Sequence, residues 1–445
     1  MNVLLISTYD LGHQPFGLAS PAAWLRARGH QVSLADLAVG SLPALAVREA
    51  EFVGFYLPMH TATRLAAEAI GRVRLLNPHA ALCAFGLYAA VNEEYLRALG
   101  VGTVLGGEFE AGLLRAVERV ASGDRQQAEE LISLERLHFP APDRTGLPPL
   151  ARYAALHVNG GRRRAGYTEA SRGCLHRCRH CPVVPVYNGV FRIVQREAVL
   201  EDIRRLAAAG AEHITFGDPD FFNGPAHAAR IVEQLHTEFP SFTYDVTIKV
   251  EHLLRHRRLL PVLRRTGCLF VTSAVESLDD DVLARLEKGH TRQDFFEAVR
   301  ISRAEGVALS PTFIPFTPWT TMAGYRELLE TIAGLELVEN VSPVQLALRL
   351  LIPNGSRLLE LEDVRTRITG FDAKALVHRW RHDDTAVDEL ARRLLGLIHD
   401  AQKQRRTRSE IFRIVAAEAG AAALPENYDL MPRATVPYLD EPWYC

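Results

Sequence analysis

Three cysteines, Cys174, Cys178 and Cys181, stand at C-x3-C-x2-C spacing in the run SRGCLHRCRHCP, in a chain that has six cysteines altogether. Thiolates are soft ligands that favour zinc and iron–sulfur clusters, so the spacing points to a metal centre. Two closures are open. With His176 or His180 as a fourth ligand, the loop could form a tetrahedral Cys3His zinc site. With three thiolates alone it could hold a four-iron cluster, one iron of which has no protein ligand and is free to meet a substrate. The remaining cysteines do not form a secreted disulfide pattern: Cys83 and Cys268 lie in apolar, strand-like runs and Cys445 is the last residue.

The elements that must position this loop are legible as two alternating patterns. In the first, short apolar runs at Val3 to Ser7, Gln31 to Leu37, Phe52 to Leu57, Ala81 to Gly86 and Thr103 to Gly107 read as strands. Helical stretches separate them, such as TATRLAAEAIGRVRLLN with Leu65, Ala69, Val73 and Leu76 on one stripe. Strands alternating with helices give a parallel, doubly wound sheet that binds ligands at the carboxyl ends of its strands, here the loops Tyr9 to His13 and Gly106 to Glu108. Prolines at 140, 142, 148 and 149 then mark an extended connection.

The second pattern has strands at Tyr167 to Ser171, His213 to Phe216, Tyr244 to Lys249, Cys268 to Glu276, Val307 to Ile314 and Val344 to Leu351. Between the first two lies AVLEDIRRLAAAG, whose Leu200, Ile203 and Leu206 share a face and whose Gly210 suits a helix C-terminus. Six βα units predict a partial barrel, with chemistry at the carboxyl rim where the cysteine loop falls. The expected division is residues 1–125 as a Rossmann-like domain, 126–165 as linker, 166–355 as barrel and 356–445 as a mostly helical region with a cysteine tail.

Composition excludes some functions. At 48% hydrophobic, 23% charged and a formal net charge of -2, the chain gives no electrostatic case for nucleic acid or an anionic membrane. No apolar run approaches the roughly 18 residues of a membrane helix. The start MNVLLISTYD lacks the features of a signal peptide, so a cytoplasmic protein is expected.

The cysteine loop following the first barrel strand resembles that of the radical S-adenosylmethionine (SAM) enzymes, with His180 where that family usually has an aromatic residue. The resemblance implies a 4Fe-4S cluster on Cys174, Cys178 and Cys181. Its open iron chelates SAM, and an electron from a donor such as flavodoxin or ferredoxin cleaves a carbon–sulfur bond. It also implies SAM contacts from Asp218 or Asp220 after the second strand, Glu276 and Ser277 at the end of the fourth, and Arg349 on the sixth. Each has a structural reading beside it: capping and turn formation for the aspartates, a solvated face for Arg349, and a helix end for Lys288-Gly289. The N-terminal sheet resembles the cobalamin-binding subgroup of the family. However, DLGHQPFG does not fit the D-x-H-x-x-G pattern that donates histidine to cobalt, so His13 is not expected as a ligand and cobalamin is possible but not favoured.

The ending TVPYLDEPWYC resembles a radical SAM subgroup whose tails end in CCAEP or CUAEP, among them enzymes of arsinothricin biosynthesis. That implies transfer of the 3-amino-3-carboxypropyl group of SAM to arsenite, with Cys445 as a thiol for the thiophilic substrate. The alternatives are a cobalamin-dependent radical SAM methyltransferase of a natural-product pathway and a non-catalytic metal-binding module.

Overall fold

The computed structural model describes residues 1–124, 129–422 and 437–440. Five of the apolar runs form a parallel sheet: β1 (Asn2–Ser7), β2 (Gln31–Asp36), β3 (Phe52–Tyr56), β4 (Ala81–Phe85) and β5 (Thr103–Gly107). A two-residue strand, β6 (Ile132–Ser133), extends it, and the order is β2-β1-β3-β4-β5-β6. Crossover helices cover both faces and bury two apolar clusters, one around Ile6, Phe55 and Ile70 and the other around Leu5, Phe85 and Leu113. The stripe of helix His60–Leu76 is rotated from expectation. Ala66, Ala69, Ile70 and Val73 are buried, whereas Leu65 is 45% exposed. The four buried residues, all small or β-branched, pack into the apolar cluster with the sheet.

The second sheet begins with a hairpin inside the segment expected to be linker. Strands β7 (Ala155–Val158) and β8 (Gly161–Thr168) pair antiparallel around Asn159 and Gly160, both at positive φ. An Asn-Gly pair between two strands is a strong hairpin signal because both residues tolerate the left-handed conformation. The proline-rich strap preceding it is pinned rather than loose. Asp143 donates its amide to Ala19 O at 2.9 Å, and Arg144 pairs with the buried Asp202.

Strand β8 ends at Thr168. The chain resumes as β9 (Ser171–Gly173), paired antiparallel with β10 (Phe191–Ile193), so the cysteine loop is strung between two strands of a small ribbon. The sheet then continues in parallel through β11 (His213–Phe216), β12 (Thr243–Thr247), β13 (Cys268–Glu276) and β14 (Ala308–Phe313). Helix Arg196–Ala208 buries Leu200, Ile203 and Leu206 as predicted, and Gly210 follows it at φ 89°.

The sixth strand is a correction. Residues Pro343–Leu346 form a 3-10 turn, and the expected strand survives only as an isolated bridge between Phe316 and Arg349. Proline at the start of that turn withholds a ladder donor, and Gln345 turns its side chain back to accept the amide of Phe313. The architecture is therefore α/β: a Rossmann-like sheet, a partial barrel curled about one large core, and a C-terminal region dominated by helices Thr385–Lys403 and Arg408–Ala419. That region also carries a hairpin, β15 (Ile368–Asp372) with β16 (Val377–Trp380). A last strand, β17 (Tyr438–Leu439), adds to β7 at the edge of the barrel sheet.

Candidate active site

The loop from Cys174 to Cys181 leaves β9 through Gly173, at φ 71°, where an added Cβ would lie 2.4 Å from both Val190 O and Tyr187 Cδ1. Only glycine fits there. Asn223 accepts the amide of Leu175 at 3.2 Å, and Cys181 N donates to Cys178 O at 3.1 Å. Arg179 fastens the middle of the loop: its amide donates to Leu286 O, and its guanidinium donates to Arg285 O and pairs with Glu287 at 2.6 Å. The three thiols are free; Cys174 and Cys178 are buried and Cys181 is partly so. Burial raises the Cys174 thiol and pushes that of Cys181 up to about 12, with the neighbouring cysteines adding to the effect. Three thiols converging in this way become thiolates when a cation compensates them, which fits a cluster held on one side.

Around the loop lies a ring of buried polar groups. Glu276 sits at the end of β13 at φ 70°, an unusual conformation for a side-chain-bearing residue, next to a register shift in the ladder with β14. Its Oε1 is 3.3 Å from Lys288 Nζ and 3.1 Å from His180 Nε2. Burial would raise this carboxyl, but the Lys288 ammonium and His180 hold it at about 2. On the other side Lys249 Nζ donates to Cys178 Sγ at 3.8 Å. His176, lowered to about 4 by burial and by Lys249, lies with Cys174 and Asp220 so that their ligand atoms are within 4.8 Å of one another. Asp220 Oδ2 is 2.7 Å from His252 Nδ1. Several buried atoms here have no hydrogen bond, among them His180 Nδ1 and His176 Nε2.

The structure divides the residues expected to contact SAM. Asp220 and Glu276 stand at the cluster loop. Asp218 is spent on the scaffold: it accepts the amide of Ala170 at 2.9 Å and the hydroxyl of Ser171 at 2.5 Å, and burial pushes it up to about 7. Both bonds fall where the chain passes from β8 to β9. Ser277 Oγ accepts the amide of Asp279 at 3.0 Å in the turn before helix Asp280–Arg285. Arg349 is engaged elsewhere, because its guanidinium pairs with Asp388 at 2.5 Å, donates to Trp380 O and stacks 3.6 Å over the Trp380 ring. Cys445 lies outside the described residues. Sequence reasoning missed Lys249 and the role of Lys288; a lysine closing the apolar strand run YDVTIK was the available signal.

Two cavities lie near the site, the first bordering the ends of the loop at Gly173 and Val183. One, of about 210 Å³, lies between the carboxyl ends of the Rossmann-like strands and β9, with Tyr56, Phe109, Tyr167, Glu169 and Arg172 in its wall. Arg172 is enclosed there by Glu108, Glu110 and Glu169, with its guanidinium 4.8 Å over the Phe139 ring. The other, of about 300 Å³, is the barrel lumen, lined by Thr215, Asp245, Thr247, Thr272, Ser310 and Thr312 among others. His13 borders both and packs on Tyr167 at 4.8 Å.

Comparison with known proteins agrees with this geometry. Residues 168–332 match the family model of the Radical SAM superfamily. The hopanoid C-3 methylase of Methylococcus capsulatus is 26% identical over 349 residues, 74% of this chain and 65% of that protein. The ribosomal protein uS12 methylthiotransferase RimO of Porphyromonas gingivalis is 26% identical over 39% of this chain and 42% of its own length. The chain thus spans less than two thirds of these relatives. Among solved structures, the cobalamin-dependent SAM radical enzyme OxsB with aqua-cobalamin bound superposes with a TM-score of 0.67 at 15% identity, covering 90% of this chain and 67% of that one. The radical SAM methyltransferase TsrM from Kitasatospora setae gives 0.63 at 16% identity, covering 81% of this chain and 76% of that one. Together with the three free thiols at the head of the barrel, the family match identifies residues 168–332 as a radical SAM domain.

Proposed function

We propose that the chain is a radical SAM methyltransferase with the two-domain architecture of the cobalamin-dependent enzymes, acting on a small molecule. The observation that carries the reading is the alignment with the hopanoid C-3 methylase, which extends well beyond the matched radical SAM residues. The fold shared with TsrM and OxsB supports it. The relatives favour methyl transfer over the expected aminocarboxypropyl transfer to arsenite, whose main support was Cys445.

When bound, a 4Fe-4S cluster with SAM supplies reductive cleavage of a carbon–sulfur bond. Cys174, Cys178 and Cys181 would hold the cluster. Asp220 and Glu276 are buried carboxylates placed to receive an ammonium or hydroxyl by charge-assisted hydrogen bonds. The lumen, rich in hydroxyls, would orient a polar substrate beneath that point. Asp245 is its fixed acceptor, held by His213 Nε2 at 2.8 Å and Thr215 Oγ1 at 2.7 Å.

Cobalamin is a harder fit. The interdomain gap has the right place, but about 210 Å³ is below even the roughly 300–1,000 Å³ of pockets for drug-sized ligands, and a corrin is larger than those. Tyr56 and Tyr167 fill the space over Gly17 and Gly217, where an added Cβ would strike the rings. Tyr56 and Tyr167 would have to move for a corrin to enter, while the likeness to OxsB with aqua-cobalamin bound makes cobalamin more plausible than the sequence suggested; no step is assigned to it. Anaerobic incubation with SAM and dithionite tests the reaction class. With cobalamin added as methyl acceptor, one SAM is expected to give 5′-deoxyadenosine and a second, having donated its methyl group to that acceptor, S-adenosylhomocysteine; methylthioadenosine would instead reinstate aminocarboxypropyl transfer.

A further inference from the structure

Lys249 stands at the N-terminus of helix Val250–Arg255, immediately beyond β12, with its side chain 8% exposed. Its Nζ has two neighbours of interest: Cys178 Sγ at 3.8 Å and Glu251 Oε2 at 3.6 Å. Space for this arrangement comes from Gly289, at φ 73°, where an added Cβ would lie 2.6 Å from Glu251 Oε2 and 3.8 Å from Lys249 Nζ. A buried ammonium is costly unless paired and hydrogen-bonded, and Glu251 is a half-exposed partner that supplies only part of the compensation. The remainder faces a cysteine sulfur.

We propose that Lys249 sets the reduction potential of the iron–sulfur cluster carried by Cys174, Cys178 and Cys181. The inference rests on the radical SAM reading of this loop. Reduction by one electron, delivered by dithionite or a reduced flavodoxin, adds one negative charge at a buried site and changes no covalent bond. An ammonium hydrogen-bonded to a ligating sulfur favours the more negative state, because cluster potentials follow local charge, hydrogen bonds to sulfur and solvent exposure. Water screens this interaction weakly at such burial. Glu251 opposes it by offsetting part of the lysine's charge. Lys249 is thus a positioning residue that acts through Cys178.

The test is an anaerobic redox titration of the reconstituted full chain followed by electron paramagnetic resonance, with iron and sulfide determined on each sample. Lys249→Met should make reduction at least tenfold less favourable, a midpoint about 59 mV lower for a one-electron couple. Lys249→Arg should stay near the parent, and Glu251→Gln should move the midpoint the other way. An unshifted midpoint in a fully loaded Lys249→Met variant overturns the inference. Should that variant lose its cluster, Glu251→Gln decides alone: an upward shift supports the role and none refutes it. Parent protein that binds no iron–sulfur cluster overturns the underlying reading instead.

Discussion

Lys288 Nζ lies 3.3 Å from Glu276 Oε1 in a place where both side chains are almost fully enclosed. Burial works against the lysine's charge, while Glu276 and the thiols of Cys178 and Cys181 more than restore it. Breaking one side of such a pair leaves an uncompensated buried charge, which costs about 3–5 kcal/mol. Glu276→Gln should therefore lower unfolding free energy by about that amount, as should Lys288→Met. The double variant should recover much of the loss. Chemical denaturation of the three proteins checks this, and simple additivity would show that the pair is not coupled.

The cysteine loop and its scaffold separate cleanly by substitution. Each of Cys174→Ala, Cys178→Ala and Cys181→Ala should abolish iron and sulfide binding after anaerobic reconstitution, leaving the circular dichroism of the apoprotein unchanged. Asp218→Ala should act differently, because Asp218 holds Ala170 and Ser171 and not a ligand. Its loss removes charge-assisted hydrogen bonds worth about 1.5–3 kcal/mol each. The expected result is a lower melting temperature with cluster capacity retained at low temperature. Stoichiometric zinc in place of iron in the parent would point back to the Cys3His closure.

The parts of this arrangement that the sequence exposes are those with a periodic signal. Apolar runs located five of the six strands of the first sheet, and their alternation with helices required parallel pairing. The position of Cys174, Cys178 and Cys181 directly after the first barrel strand placed the loop at the barrel rim. The sixth strand misled because VQLALRLL is apolar enough for a strand, but Pro343 and the back-turned Gln345 divert it. The hairpin at Asn159-Gly160 was readable and was hidden only by the basic run GGRRR that follows. Arg172 and its three glutamates leave no such trace. Glu108, Glu110 and Glu169 look like surface residues until the two domains close over them, and no local pattern encodes that.

That buried cluster makes stability depend on pH. Burial pushes Glu108 up to about 7, against the pull of Arg172, from an ordinary value near 4.5. Between those values the folded protein binds more protons than the unfolded chain, so this group's contribution to stability falls as pH rises from 4.5 to 7 and is constant above. Glu108→Gln removes the titration and keeps the shape. Across that window the parent should lose up to about 1.4 kcal/mol per pH unit relative to the variant. Parallel stability profiles for the two proteins would mean that Glu108 stays ionised through its contact with Arg172.

The last described strand offers a test of how the C-terminal segment is held against the barrel. Asp440 accepts the amide of Ala155 at 2.5 Å, is 2.9 Å from His157 Nε2 and pairs with Arg162 at 3.0 Å. Tyr438 stacks on His157 at 5.0 Å, lies 4.8 Å beneath the Arg408 guanidinium and forms part of the lumen wall. Because β17 runs antiparallel to β7, which is antiparallel to β8, it runs with β8 toward the barrel's carboxyl rim. These contacts are partly exposed, so Asp440→Ala should weaken the strand by about 1–2 kcal/mol, roughly a 5- to 30-fold change in its open population. Hydrogen exchange at Ala155–Val158 should accelerate by that factor while exchange in β11 to β13 stays unchanged. Equal protection in parent and variant would mean that pairing of Tyr438 and Leu439 with β7 suffices to hold the strand without the Asp440 carboxylate.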